Sequence, residues 1–507
     1  MDRLMKLFRY AIALLVIPTP TAETSASTLD SARTERAVMW NSTRSEGWTN
    51  PALYGTAFRK TRSVLFFQGD WRHEKVPVVM QKGSGALSGM LQADSYIRLS
   101  DRATVWGAAS YTSGGTRDIT WNSTTDYDLL APYVLADTVG GNTRSERYRF
   151  GGGYAARIGR WTAAGELLFR AKQEYRKRDP RMRGIVSDLT LRIGAAHDWG
   201  QQRWALAVEG NIYKQNNDVT FYQEAGGATE YQMTGLGSYY TRFTASRTNI
   251  YYEGGGISLQ LDAQPASDAG WFGTFRFSTH HYERISDEYN SLPLTTLYVA
   301  RAHLTAGWKR EGTHRLAIFG CFDHMRKSGD EHVAGNAVGG EYPVLADLTM
   351  YKHRLTDASL HAVYGQQNRV CWYVQTSVGY RNSCERYAYP QRQMDDRRLY
   401  GRLETQWLFP VTRRLALECV LGGSYSANID KAITMPYANM KPPFVRQVNE
   451  TYRQLTANRT TINGKLRCDY MLNARQLTLY CELVGNQWFG NVQNNGQQLG
   501  LTVGLTY

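Results

Sequence analysis

The sequence predicts an all-β fold: a transmembrane antiparallel β-barrel of about eighteen strands, with long extracellular loops and short periplasmic turns. Three observations predict it. Runs in which apolar and polar residues alternate recur from Ser63 to the last residue, and a period of two belongs to a strand with one apolar face. The connections between these runs are short and long by turns. Beyond its first residues the chain has no long apolar run, which excludes a helical membrane protein, yet 12% of it is aromatic, with 33 Tyr, 13 Trp and 47 Gly. Tyr and Trp collect where an apolar surface meets water.

The chain starts MDRLMKLFRYAIALLVIPTPTAETSAS, with Arg3, Lys6 and Arg9 ahead of a short apolar core from Tyr10 to Ile17 and then small and polar residues. That layout is a secretory signal peptide, read here as residues 1–22 and cleaved between Ala22 and Ala26. A membrane-anchoring helix needs roughly 20 apolar residues, more than this run supplies. Residues 23–62 follow as an N-terminal segment expected at the periplasmic mouth or within the lumen, and residues 63–507 as the barrel.

Eighteen strands are expected to begin near Ser63, Ala86, Ala103, Ser145, Arg160, Gly184, Arg203, Ile250, Gly270, Thr296, Arg315, Thr356, Val370, Arg397, Arg413, Ala457, Arg475 and Gln497. Short turns are expected at Ser100–Arg102, Ile158–Arg160, Asp198–Gln202, Pro265–Gly270, Lys309–His314, Gly365–Arg369, Pro410–Arg413 and Asn473–Arg475. Long loops are expected at Ser113–Arg144, Asn216–Asn249, Ser328–Leu355 and Asn428–Thr456. An even strand number with loop lengths segregated to the two ends marks an outer-membrane barrel, and closure pairs every backbone group that lipid would leave unsatisfied. Trp161, Trp199, Trp204, Trp271, Trp308 and Trp407 all lie close to short turns, as an interfacial girdle requires. The implied location is the outer membrane of a Gram-negative cell.

The last strand, QQLGLTVGLTY, sets Leu499, Leu501, Val503, Leu505 and Tyr507 on one face and Gly500, Thr502, Gly504 and Thr506 on the other. Terminal residues fray unless a sheet holds them, so this strand is expected to close the barrel against the first. An alternating C-terminal strand ending in an aromatic residue resembles the signal read by the barrel-assembly machinery of bacterial outer membranes. Leu499–Tyr507 is thus expected to meet that machinery, with Tyr507 standing where Phe is more usual.

Four stretches resemble an uncharacterised family of outer-membrane β-barrel proteins in Bacteroidota. They are WNSTRSEGWTNPALYG (Trp40–Gly55), APYVLADTVGGNTRSERYRFGGGYA (Ala131–Ala155), DPRMRGIVSDLTL (Asp179–Leu191) and YQMTGLGSYYTRFT (Tyr231–Thr244). The resemblance implies a fold and a location, and carries no activity with it. The stretch TNPALYG is also similar to the Asn-Pro-Ala segment of long-chain fatty-acid transporters, where an N-terminal segment plugs the barrel. A simple turn is the plainer reading of so short a match.

The charged residues opposite the apolar stripes are expected to face the lumen. They are Arg147, Arg149, Glu166, Arg170, Lys172, Asp188, Arg192, Arg402, Glu404, Glu418, Lys465, Arg467, Asp469 and Glu482. Alternating signs suit a lumen braced by ion pairs, since an unpaired buried charge is costly; a selective solute path is the alternative. The net charge is +14, or +12 without the signal region, whose three basic and one acidic residues account for two. Lineage composition explains the excess, with cationic loops or an anion-selective lumen as alternatives.

No catalytic set stands out: the chain has no G-x-S-x-G, no H-E-x-x-H and no P-loop, so no enzyme and no cofactor are expected. His280 and His281 are adjacent and would point to opposite faces of a strand, which argues against a shared metal. Asp323, His324, Asp330, Glu331 and His332 read as a solvated charge run at a loop start. Cys468 and Cys481 flank one predicted turn on the apolar face, either as a cross-strand disulfide or as two small lipid-facing residues. The remaining expected partners are outer-membrane lipid and, through the long loops, other outer-membrane proteins, with no role for nucleic acid. The expected function is passage of an unidentified solute; the alternative is a non-conducting surface-binding or assembly scaffold.

Overall fold

A computed structural model describes residues 35, 36, 38–222, 230–243, 247–368, 370–441, 443–472 and 477–507. The predicted signal region, the first part of the N-terminal segment and the Asn473–Arg475 turn lie outside the described residues. Eighteen strands form one closed antiparallel sheet. In chain order they are β1 (Arg62–Glu74), β2 (Gly85–Arg98), β3 (Ala103–Ile119), β4 (Gly141–Ile158), β5 (Trp161–Arg176) and β6 (Arg181–Trp199). Next come β7 (Gln202–Thr220), β8 (Arg247–Pro265), β9 (Ala269–Ser286), β10 (Leu292–Arg310), β11 (His314–Ala334) and β12 (Val344–Gln367). The wall is completed by β13 (Cys371–Tyr387), β14 (Arg392–Pro410), β15 (Leu415–Thr434), β16 (Arg459–Met471), β17 (Thr478–Gly490) and β18 (Gly496–Thr506). Each strand pairs with its sequence neighbours, and β18 returns to β1 with Leu65 opposite Leu505 and Phe67 opposite Val503. Tyr507 lies just past that strand, yet its backbone exchanges two hydrogen bonds with Ser63, of 2.8 and 3.0 Å. The chain's last residue is therefore held in the seam.

The two faces of each strand have opposite chemistry. Leu501 is 50% exposed and Thr502 8%; Leu65, Phe67, Leu167, Ile193, Ile257, Val378 and Leu403 are likewise exposed on the outside of their strands. A continuous apolar exterior of this kind is stable in contact with lipid and not with water, so the barrel spans a membrane. No helix among the described residues is long and apolar enough to do so. At the short-turn end, Trp161 packs on His197, which lies opposite Trp204 across the next strand pair. Trp271 faces Trp308, and Trp372 faces Trp407, so the aromatic girdle is a physical row across neighbouring strands.

All eighteen predicted strands are present in order, with one large displacement. The twelfth begins at Val344 and not near Thr356, and β11 continues to Ala334. The predicted loop Ser328–Leu355 is therefore mostly a tall hairpin whose connection is residues 335–343, and the Asp323–His332 charge run lies within a strand. Asp347, Lys352, His353 and Arg354 sit among its apolar residues, and a strand that rises out of the membrane into water need not keep one face apolar. Strand length runs from 24 residues in β12 to 11 in β18, so the wall is tallest at the β11–β12 hairpin and lowest at the closing seam.

The other long connections fold inward. Residues 120–140 carry a short helix (Tyr127–Leu130) and the strand Leu135–Ala136, which pairs with Tyr231–Gly235 of the connection between β7 and β8. Ser238–Tyr240 adds a third strand. The connection between β15 and β16 holds the helix Pro443–Leu455, whose Phe444 stacks against Trp121, Tyr231 and Tyr239. A barrel this wide leaves an aqueous channel unless something fills it. Here the core of the molecule is that filling: one apolar cluster under the long-loop end and two around the N-terminal segment.

Candidate functional site: a charged lumen between two plugs

Residues 38–58 occupy the short-turn end of the lumen. Asn50 caps the helix Pro51–Tyr54 by accepting from Ala52 N at 3.0 Å, while its amide donates to Asp262 Oδ2 at 3.1 Å. Thr49 Oγ1 donates to Gln260 Oε1 at 2.6 Å, Met39 N to Gln406 Oε1 at 2.6 Å, and Arg44 pairs with Glu311. Glu46 meets His303 Nε2 at 3.0 Å. Burial pushes the Glu46 carboxyl up, but hydrogen bonds from His303 and Thr305 together with the charges of His303 and His361 outweigh it and hold the group below its ordinary value. The helix fits because four successive strands present small inward residues to it: Ala155, Ala164, Ala196 and Ala205 line the cluster that buries Ala52, Leu53 and Phe58. Gly194 and Gly55 allow the closest approaches, since a Cβ on Gly194 would lie 2.4 Å from Asn50 Oδ1 and one on Gly55 2.2 Å from Ala155 Cβ. Earlier in the segment, Trp40 is buried beneath the guanidinium of Arg315. Burying Trp40, Leu53 and Phe58 contributes roughly 1.5–3 kcal/mol each.

Inward arginines of the wall hold the second plug at the long-loop end. Arg176 and Asp137 form an ion pair in which both side chains are fully buried. Asp137 also accepts from Ser123 Oγ, Val139 N and Gly140 N at 2.6–2.7 Å. Burial works against this charge, and Arg176 with the donors overcomes it, so Asp137 sits below the ordinary carboxylate range. Arg284 donates to Met233 O at 3.1 Å and to Tyr240 Oη at 2.9 Å, and Arg392 to Leu236 O at 2.6 Å. Asn217 bonds Ser123 O at 2.8 Å, and Tyr252 Oη donates to Tyr133 O at 3.1 Å. Within the connection between β7 and β8, Glu230, Gln232, Thr234, Leu236 and Phe243 are all buried.

Between the plugs lie two cavities. One, of about 600 Å3, is lined by Asp126 and Tyr127 of the loop plug and by Arg170, Lys172, Glu209 and His280 of the wall. The other, of about 890 Å3, is lined by Trp48, Tyr54 and Phe58 of the N-terminal plug and by Arg149, Glu166 and Arg192. They share Arg170, Asp188 and Thr190, so the Arg170–Asp188 pair stands where they meet.

The expected lumen residues all lie on the inward faces of their strands. Cross-strand register brings opposite charges together, Arg170 opposite Asp188 and Arg192 between Glu166 and Glu209. Arg170 contacts Asp188 at 2.9 Å and Asp126 at 2.7 Å, Lys172 reaches Asp126 at 3.3 Å and Glu174 at 2.8 Å, and Arg192 pairs with Glu166 at 2.9 Å and with Glu209. A second network spans β14 to β17. Arg402 pairs with Glu404; the wholly buried Glu418 accepts from Lys465 and from Gln406; Arg467 contacts Asp469 at 2.9 Å and Glu482 at 3.5 Å. Arg147 and Arg149 differ: among the described residues neither has a carboxylate at ion-pair distance, and Arg147 Nε is buried without a partner. His280 lines a cavity while His281 is exposed on the other face. No group of three or more His, Cys, Asp or Glu among the described residues is placed to hold a metal ion. Cys468 and Cys481 stand directly opposite each other in the register of β16 and β17.

Sequence reasoning missed Arg176, Arg284, Arg392, Asp126 and Asp137, which organise the loop plug. Their partners are far off in sequence, and the one available signal was an Arg at each strand's long-loop end, where a lipid band has already ended.

The chain belongs to a family of unknown function (DUF6850), whose model matches residues 51–507. No curated protein matches it. Among solved structures it is similar to the siderophore receptor PiuA from Acinetobacter baumannii, at 8% identity, with 87% of this chain and 82% of that chain covered and a TM-score of 0.41. It is also similar to the outer membrane transporter YddB from Escherichia coli (9% identity, 89% and 81% covered, TM-score 0.40). A third is a variant of the ferric enterobactin receptor PfeA from Pseudomonas aeruginosa (7% identity, 88% and 80% covered, TM-score 0.39).

Proposed function

We propose that this chain carries a small charged or strongly polar solute across the outer membrane of a Gram-negative cell, through a lumen stopped at both ends. The resemblance of Trp40–Gly55 and three further stretches points to Bacteroidota as the lineage. The observation that carries the reading is the pair of charged cavities that lie between two non-covalent plugs and meet at Arg170 and Asp188. A merely braced lumen would be filled by its own side chains; this one keeps space for a solute and lines it with groups that replace water as hydrogen-bond partners. The plugs rest on hydrogen bonds, ion pairs and side-chain packing, and each is a separate segment able to move without opening the wall. With the short turns facing the periplasm, residues 38–58 stop the inner mouth, and the folded loops stop the outer one. The C-terminal strand serves the barrel-assembly machinery before it seals the seam.

The test is liposome swelling with barrels in which the N-terminal plug is loosened by N50A and T49A together. Charged solutes small enough for the cavities enter these liposomes faster than those bearing the unmodified barrel. Equal, negligible entry in both sinks the reading. One observation favours the scaffold alternative: the tall β11–β12 hairpin exposes Val338 (74%) and Leu345 (68%) at its tip. Loss of solute entry together with capture of a partner by that hairpin would move the function there.

A further inference from the structure

The chain's positive charge is not confined to the lumen. On the outer wall near the long-loop end, one row of directly paired residues runs Leu87, Gly115, Arg144, Tyr175, Arg183 across β2 to β6. Four residues nearer the short turns along each strand, the same face carries Tyr111 against Tyr148 with ring centroids 4.9 Å apart; two residues further on it carries Phe150, Phe169 and Leu189. The exterior therefore passes from apolar to aromatic to cationic with height, the sequence of surfaces met on leaving a bilayer core through its headgroups. At the cationic level the small residues Gly89, Ser113 and Gly115 leave a groove of about 900 Å3 beside Leu87. Arg117, Arg144, Lys177 and Arg178 rim it, all exposed, against the single carboxylate of Asp118. Asp118 is already engaged by Ser84 Oγ at 2.5 Å, and none of the four cations has a carboxylate at ion-pair distance among the described residues. Beyond the groove, Arg183 lies opposite Asp218.

We propose that this groove binds a phosphorylated lipid of the leaflet at the long-loop end. An acyl chain lies along Leu87 and the small residues, and phosphate is held by Arg117, Arg144, Lys177 and Arg178. Position and charge both select this occupant. A ligand at this height on the outside of a membrane barrel is a lipid, and four cations with no ion pair among the described residues, set against only Asp118 and, opposite Ser113, Glu146, match a phosphorylated headgroup over a floor of Leu87 and small residues. Guanidinium groups bind phosphate oxygens in pairs, and each basic residue near an anionic surface strengthens binding several-fold. The proposal rests on the barrel's place in a membrane and not on solute passage, so either can fail alone.

The experiment uses the full-length mature barrel refolded in neutral detergent, with lipid retention read by native mass spectrometry. The probes are a bisphosphorylated acyl-disaccharide lipid and its dephosphorylated form. The native barrel retains the phosphorylated lipid at least about tenfold better, and the variant R117A/R144A/K177A/R178A loses that preference. The control R413A/R414A, at the short-turn end, keeps it. Both variants are first shown to be folded by the heat-dependent shift in gel mobility that closed barrels give. Equal retention of the two lipids by the native barrel, or an undiminished preference in the fourfold variant, overturns the proposal. So does displacement of the lipid by excess inorganic phosphate, which would assign the cations to a free anion.

Discussion

Arg176 and Asp137 are the residues on which the outer plug depends most. Both are wholly buried, and Asp137 gathers three further donors. Removing one partner strands the other charge, at a cost of about 3–5 kcal/mol. We predict that R176A lets residues 120–140 exchange amide hydrogens far faster while the barrel strands remain protected. Replacing both partners by apolar residues restores much of that protection. Glu230 gives the same plug a pH dependence. Burial, with the charge of Asp137 beside it, lifts the Glu230 carboxyl well above 4.5 against the pull of Arg176. In the closed plug this acid keeps its proton; in the opened plug it ionises near its ordinary value. Closure is therefore fully stable below that ordinary value and weakens as pH rises toward the raised one, by roughly 1.4 kcal/mol per pH unit across the window. Amide exchange at residues 231–240, corrected for its intrinsic pH dependence, is expected to accelerate over that range in the native chain and not in E230Q. An identical profile in both would remove Glu230 from the account.

Among elements, the helix Pro51–Tyr54 and the alanines that receive it form the most specific fit. Ala196 and Ala205 stand opposite each other in register and face it. Leucine at both overfills the site by about 1–3 kcal/mol each, so A196L/A205L is expected to release residues 51–55 to rapid exchange without loosening the strands. The elements also show what the sequence could and could not reveal. The outward face of each strand must be apolar wherever lipid touches it, which is why QQLGLTVGLTY reads plainly as a strand. The start of β12 did not, because a strand rising into water keeps no such pattern. The lumen charges were legible as the face opposite lipid. Which of them pair was not read from the sequence; the strand register sets it, as for Arg170 with Asp188. The N-terminal segment was expected at the mouth or within the lumen, but its contacts and the whole loop plug were not legible: Asn50 meets Asp262 over 212 residues and Arg176 meets Asp137 over 39. No local period marks a loop that turns inward.

For the whole molecule, closure and assembly separate at one residue. Tyr507 joins the seam through its backbone, while the residue as a whole is 67% exposed. Y507A is therefore expected to refold in detergent as well as the native chain and, on the proposal that the assembly machinery reads this side chain, to accumulate poorly in cells; equal yields in cells would free Tyr507 from that role. The central claim is that one lumen is shut by a segment able to move, and single-channel conductance in a planar bilayer tests it most directly. The protein for that measurement has its six native cysteines replaced by alanine and carries T49C and Q260C, joined by a short cleavable thiol cross-linker that ties the N-terminal plug to β8. The account predicts silence while the bridge is intact, and brief openings after cleavage that become long-lived when N50A is added. Steady conductance with the bridge in place, or silence after cleavage even with N50A, would contradict it.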